Sequence, residues 1–505
     1  MAVAGTDYAL SGLRWQTPSH ISYSIAPDGV FWDHGVNTLN ASFTARFGTT
    51  WKREIARALA TWQSVANLNI ALVNDGPYKL DAIGQSQGDP RFGDIRFGGY
   101  AFANTTTTLA HSYFPPPDGW TAAGDVAINT AMNYNVGSDY DFFSVMLHET
   151  GHALGLEHPT DPTEVMYANY GGVRTNLQEG DLAGILAIYG PRQPDGYRAS
   201  GQGGSFAQAI DLGSRFNGSG TAVVAGLSLS SIGDTEYFSF VAPAGAAGGL
   251  RVSACANGFS LLSPRVSVHD ASGRLLNTQA DASSWSNNVT STLASLTPGQ
   301  RYFVSVAGAT SDVFSVGAYA LLVQFDGPSS SPGGATPDPD LADSPEGSGV
   351  SADRFEPNDR ANRAVRIGLT NQVVVGNLTL DSASDVDTFS FRNGRAGIVV
   401  ASAAGASLRI VDGSGRVLAE GNNQVGAAVS RPNLQLYVQV RSATGDPLAS
   451  YALGITCSAA PSRSRLRSLS TDRASDTLEI LPTSIPPAVP VVRWNFRPRA
   501  AAWRG

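Results

Sequence analysis

The stretch His148-Glu149-Thr150-Gly151-His152-Ala153-Leu154-Gly155-Leu156-Glu157-His158 constrains the fold of this 505-residue chain more than any other. His148 and His152 stand four residues apart, so a helix sends both imidazoles to one face, where they share one metal ion. Glu149 follows one step round. Gly155 accepts a left-handed backbone conformation at little cost, which ends the helix and turns the chain so that His158 supplies a third nitrogen. Tetrahedral zinc with three protein ligands keeps one position open for water, lowers that water's pKa from about 15.7 to about 7, and leaves Glu149 to take the proton. A bare HExxH also arises on helices that bind nothing, but the chain has only seven histidines and three fall in this register.

The eleven residues complete the HExxHxxGxxH pattern of zinc proteases. Val165-Met166-Tyr167-Ala168-Asn169-Tyr170 resembles the Met-turn of metzincins, a methionine loop under the metal, and the pair Tyr167 and Tyr170 is similar to the matrixin branch. The resemblance to a matrixin catalytic domain covers roughly residues 14 to 191. It implies that Leu109, Ala110 and His111 lie on the edge strand that pairs with an extended substrate. Residues 124–129 resemble the next strand and residues 177–190 the closing helix, where Asp181 is the candidate support of the Met-turn.

Periodicity gives an independent reading of the same region. Ile55, Leu59, Trp62 and Val65 recur at helical spacing after Thr50, a good N-cap, while residues 21–25 and 69–73 alternate as strands. The expected fold is multidomain: an α/β (α+β) metzincin-like catalytic domain with a mixed sheet and three helices, followed by two all-β sandwich domains.

Two departures from the family stand out. Of the histidines that hold a structural zinc in many matrixins only His111 is present, and one imidazole holds no such ion, so one catalytic zinc is expected. Asp75, Asp81, Asp89 and Asp94 could donate oxygens to calcium, although loop aspartates are usually solvated; calcium is admitted without assigned ligands. No counterpart of the cysteine-bearing pro-segment of the animal enzymes is expected from this sequence. Cys255 and Cys457 lie far downstream and are read as two unpaired, buried thiols.

Charged residues make up 15% of the chain and the net charge is −8, which gives no sign of nucleic-acid binding. No apolar run is long enough to span a membrane. The first residues lack the basic start and apolar core of a secretion signal, yet proteases of this kind act outside cells, so an extracellular location is expected without a visible leader.

Beyond residue 190 the chain repeats itself. Asp234-Thr235-Glu236-Tyr237-Phe238-Ser239-Phe240 answers Asp385-Val386-Asp387-Thr388-Phe389-Ser390-Phe391, and Tyr319-Ala320-Leu321 answers Tyr451-Ala452-Leu453. Short alternating runs between Gly, Ser and Asp turns suit β-sandwiches. The blocks resemble bacterial pre-peptidase C-terminal domains, including Glu356-Pro357-Asn358-Asp359 at the second opening. The expected layout is a catalytic domain at 1–191, a linker at 192–204, sandwiches at 205–325 and 353–457 joined by an acid-rich Pro/Ser/Gly linker at 326–352, and a disordered tail at 458–505. The acid pairs Asp234/Glu236 and Asp385/Asp387 are read as solubilising residues at strand entries rather than calcium ligands.

The resemblance implies a zinc endopeptidase with Glu149 as base, His148, His152 and His158 as ligands, and Gly155, Met166, Tyr167, Tyr170 and Asp181 in support. Expected partners are protein or peptide substrates and, through the sandwiches, a cell surface or matrix polymer; a monomer is expected. The competing reading is an inactive adhesion protein, which the intact Glu149 and three ligands disfavour.

Overall fold

In the computed structural model the described residues are 7–459, apart from 90, 104–106, 117–119, 217–219, 245–247, 326–352, 354, 368 and 370–371, together with 492–493. The longer linker and nearly all of the tail therefore lie outside the described residues.

The N-terminal region is built on a five-stranded sheet of β1 (Ile21–Ile25), β2 (Ile70–Leu72), β3 (Ile95–Tyr100), β4 (Ala110–Ser112) and β5 (Val126–Asn129). Its spatial order is β2-β1-β3-β5-β4. All neighbours are parallel except β4, which runs antiparallel to β5 at the edge, so the sheet is mixed. Four helices accompany it: α1 (Leu39–Phe47), α2 (Thr50–Val65), α3 (Phe142–Ala153) and α4 (Glu179–Tyr189). α1 exceeds the three helices expected. Gly48, at φ 59°, breaks what would otherwise be one long helix into α1 and α2. The break moves the cap of α2 to Thr49 and takes Thr50 into the helix, so Thr50 is not the N-cap.

α2 carries the periodic apolar face read from the sequence. Ile55, Leu59 and Trp62 are fully buried, and Trp62 Nε1 donates to Leu147 O and Thr150 Oγ1 of α3, both at 3.1 Å. A buried indole N–H needs such a partner, and here the partner fixes the helix that holds the histidines.

Downstream, residues 210–325 form two sheets. One contains the strands Thr235–Val241, Pro264–His269, Leu275–Ala280 and Arg301–Gly308; the other contains Thr221–Leu229, Leu250–Cys255, Asn288–Leu293 and Gly317–Phe325. Phe238, Phe240 and Val304 from the first meet Val252, Leu321 and Val323 from the second in one apolar core. Residues 365–459 form a seven-stranded sheet whose long strands, Gly397–Asp412 and Val417–Val429, pair with each other along most of their length. Phe389, Ile410, Val438 and Leu453 lie in its core.

The stretch 192–204, expected to be a linker, is instead tightly held. Arg192 donates to Gln63 O, Leu68 O, Asn69 Oδ1 and Ser228 Oγ, which ties the N-terminal region to the first pair of sheets. Buried Gln63 extends the tie: its amide donates to Val316 O at 2.9 Å while its oxygen accepts from Ile70 N. Leu261 and Phe314 join the N-terminal core. Cys255 and Cys457 are both buried and free.

Candidate metal centre

Asp141 begins α3. Its carboxylate accepts from Ser144 N at 2.9 Å, an N-cap that fixes the first turn, and its own N–H donates to Tyr170 Oη at 2.9 Å. Two turns on, His148 and His152 point the same way, and the helix stops before Gly155. That glycine sits at φ 106° with Leu13 O only 2.4 Å from where a Cβ would stand, so both its conformation and its space exclude a side chain. The chain then reverses and returns His158.

The Nε2 atoms of the three histidines lie 3.1 Å (148 to 152), 2.9 Å (152 to 158) and 3.3 Å (148 to 158) apart. His148 Nδ1 donates to Val165 O at 2.7 Å and His152 Nδ1 to Leu156 O at 2.8 Å. A carbonyl only accepts, so the Nδ1 atoms carry the protons and the Nε2 atoms of these neutral rings are bare lone pairs. Burial first, and then the neighbouring imidazoles, hold His148 well below the usual histidine range and push His152 down to about 3; burial lowers His158 to about 4. Lone pairs facing one another repel unless a cation lies between them. Zinc–nitrogen bonds of about 2.0–2.1 Å in a tetrahedron separate the nitrogens by roughly 3.3 Å, so the spacing fits that ion.

Glu149 is buried beside the trio, and burial pushes its carboxyl up to about 8, opposed by the Ser112 hydroxyl, which donates to Oε2 at 2.5 Å. Ser112 comes from edge strand β4. Leu109 and Ala110 are buried behind it, and Phe114 sets its ring edge-on to His152 at 5.8 Å. His111 points to the other side, where its Nε2 is 3.1 Å from Asp33 Oδ2; this pair and the Tyr100 hydroxyl help bring Asp33 down to about 2.

Met166 passes under the metal site. Its Sδ lies 2.3 Å from where a Cβ on Gly151 would be, so the small residue in the motif makes room for the turn. Asp181 accepts from Val165 N at 2.9 Å and Met166 N at 3.1 Å, and it also accepts from Gln178 N at the start of α4. Val165 in turn receives the His148 proton, so Asp181 orients a metal-facing ring through one peptide unit. Tyr167 is half-buried on the turn, and Asn169–Tyr170 pairs antiparallel with Val492–Arg493 from the tail.

Sequence reasoning missed three contributors. Glu164 accepts from Gly180 N and Asp181 N and so seats the start of α4. Trp62 pins α3, and Ser112 holds Glu149. Trp62 was legible on the apolar face of α2 but not as the pin of α3, and strand alternation places Ser112 on the same face as Ala110. The loop acids are engaged by the protein itself. Asp75 pairs with Arg96 at 2.8 Å, Asp89 with Arg91 at 2.8 Å, and Asp94 accepts from Ser22 and Gly88.

Residues 38–190 match the family model described as matrixin. The chain is 31% identical over 186 residues to human matrix metalloproteinase-20, covering 36% of each chain. It is 32% identical over 148 residues to karilysin of Tannerella forsythia, covering 28% of this chain and 29% of that one. To metalloendoproteinase 1 of Glycine max it is 33% identical over 179 residues, 33% of this chain and 55% of the relative. The chain thus spans about a third of the length of the first two of these relatives. Matrixins are zinc-dependent, and the histidine trio is compatible with that ion.

Proposed function

We propose that the chain is a zinc endopeptidase of matrixin type, acting on extracellular proteins from a position set by its C-terminal β-sandwiches. The observation that carries this reading is the convergence of three bare Nε2 atoms with a buried carboxylate beside them. Bound by His148, His152 and His158, zinc would polarise a scissile carbonyl and acidify a water.

The chain's own residues supply the rest. The outer edge of β4, which has no strand beyond it in the sheet among the described residues, receives an extended substrate as an added antiparallel strand. Glu149 takes the proton of the attacking water and returns it to the leaving amine. Ser112 fixes one carboxylate oxygen so that the other faces the substrate. Met166 and Asp181 hold the ring of His148 through Val165, and Gly155 turns His158 into place. Tyr167 and Tyr170 belong to the turn that carries Met166, and the Tyr170 hydroxyl accepts from Asp141 N at the start of α3.

We keep as a proposal a catalytic domain to 191 and sandwiches at 205–325 and 353–457, with residues 195–203 hydrogen-bonded onto the first sandwich instead of forming a free linker. Arg192 and Gln63 make the first sandwich a fixed neighbour of α2 rather than a tethered one. The test is casein hydrolysis by the full chain before and after removal of zinc with a chelator, followed by readdition. The reading requires loss and recovery; hydrolysis that persists in the zinc-free protein overturns it.

A further inference from the structure

The two C-terminal repeats bury the same acidic motif and neutralise it differently. In the first, Asp195 accepts from Tyr197 N and Arg198 N with one oxygen and from Ser228 N with the other, while Tyr319 donates to Glu236. In the second, Asp353 accepts from Phe355 N and from Thr379 N, while Tyr451 donates to Asp387. The backbone agrees: Tyr237 N donates to Gly203 O, and Thr388 N donates to Asn358 O. Asp195 therefore corresponds to Asp353, Asp234 to Asp385, Glu236 to Asp387, and Gly203 to Asn358. Three residues after the first aspartate the repeats part. There the first has Arg198, whose guanidinium reaches Asp234 at 2.7 Å, and the second has Glu356.

The substitution turns a neutralised cluster into a strongly negative one. Ligand atoms of Asp353, Glu356 and Asp387 lie within 4.8 Å of one another, as do those of Glu356, Asp359 and Asp385, with Glu356 common to both trios. Asp387 and Asn358 are fully buried. Asn358 Oδ1 has no hydrogen-bond partner, and the same holds for Asp387 Oδ1 and Glu356 Oε1. The direction of Asn358 is clear from both repeats. Its amide lies against Asp387, and a Cβ at Gly203 in the first repeat would stand 3.3 Å from Glu236 Oε1. Burial and mutual repulsion push Glu356, Asp385 and Asp387 up to about 7 each. Buried unpaired carboxylate oxygens are costly and call for a counter-charge.

We propose that the second repeat binds a divalent cation of calcium's class through Glu356, Asp353, Asp359, Asp385 and Asp387 with Asn358 Oδ1 as neutral donor, where the first repeat places the Arg198 guanidinium. An all-oxygen donor set of this number suits calcium, which takes six to eight oxygens in flexible geometry, better than magnesium or zinc. In the first repeat Arg198 pairs with Asp234, Gly203 offers no side-chain donor, and burial pushes the Glu236 carboxyl up to about 9, so that buried group carries a proton rather than a charge at neutral pH. The inference stands apart from the peptidase reading, because it uses no residue of the matrixin region.

The test is calcium titration of the zinc-loaded full chain by calorimetry, comparing wild type with Glu356→Arg, Glu356→Gln and Asp385→Asn. Glu356→Arg copies the first repeat and should remove one calcium per chain while leaving casein hydrolysis unchanged. The two conservative variants should weaken that site by at least about tenfold, which keeps the test decisive if the arginine variant does not fold. Calcium should raise the unfolding temperature of the C-terminal sheets most in wild type, less in the two conservative variants and not in Glu356→Arg. An unchanged stoichiometry and affinity in all three variants would overturn the proposal.

Discussion

The histidine trio and the carboxylate cluster are both buried groups of like donors, yet they meet the cost of burial in opposite ways. The imidazoles are neutral, so the protein brings three Nε2 atoms within 3.3 Å simply by assigning the Nδ1 protons to the Val165 and Leu156 carbonyls. Carboxylates have no neutral form at physiological pH without a raised pKa, so their cluster needs protons, a guanidinium or a metal. One region selects its ion by orienting lone pairs, the other by accumulating charge. Geometry suits a borderline-soft ion at fixed angles, and charge suits a hard one without angular preference.

The comparison is broken most severely by His152→Ala. Zinc binding at the trio should fall below stoichiometric and hydrolysis should drop on the order of 10³-fold or more, since the metal contributes several kcal/mol to such reactions. Calcium binding in the second repeat should not change; parallel loss of both ions in elemental analysis would show that the two regions are not independent. Asp181→Ala comes next. It strands the Val165 and Met166 amides and loosens the carbonyl that orients His148, so zinc affinity should fall about 10- to 100-fold in a chelator competition, and wild-type affinity would refute the relay.

Ser112→Ala has a milder effect, because it leaves the metal ligands alone and frees only one carboxylate oxygen. A drop in kcat/KM of about tenfold with zinc content unchanged is expected, in line with one hydrogen bond to a charged group. An unchanged pH–rate profile and rate together would remove Ser112 from the site.

The smallest effect is a slope. In metal-free protein the two regions should respond to pH with opposite signs. His148, His152 and His158 have folded pKa values below 6.5, so their stabilising contribution is present above 6.5 and is lost as pH falls toward about 3 to 4. Glu356, Asp385 and Asp387 have folded values raised to about 7, so their contribution is present below the ordinary carboxylate range and is lost as pH rises through about 7. Domain-resolved melting curves across pH 4 to 8, with and without calcium, check both signs. Calcium should flatten only the C-terminal slope.

The two sites also differ in how far the sequence revealed them. His148, Glu149, His152, Gly155 and His158 occupy eleven consecutive residues, so helical geometry and one glycine suffice to assemble them. The sheet edge was legible only through the resemblance of these two segments to matrixin strands, since every residue of β4 and β5 is buried and neither strand alternates in burial. The acid cluster collects residues from 353 to 387, and two short acid pairs on strands look the same whether they face water or a core. They were read as solubilising, but Glu236 and Asp387 are buried, because their strands turn these positions inward beneath Tyr319 and Tyr451. The 192–204 stretch was misjudged for its composition: proline and glycine permit a flexible linker, but Arg192 found four acceptors and Asp195 three amides. Side-chain partners at long sequence separation decide such cases, and no local pattern encodes them.

The central claim is that the trio binds zinc and Glu149 performs the proton transfer. Glu149→Gln keeps the shape of the side chain and touches no ligand. Measured together on this variant, zinc content and casein hydrolysis should separate, with one zinc per chain retained and the rate reduced about 10²- to 10⁴-fold. Hydrolysis at the wild-type rate by the zinc-loaded variant would contradict the account.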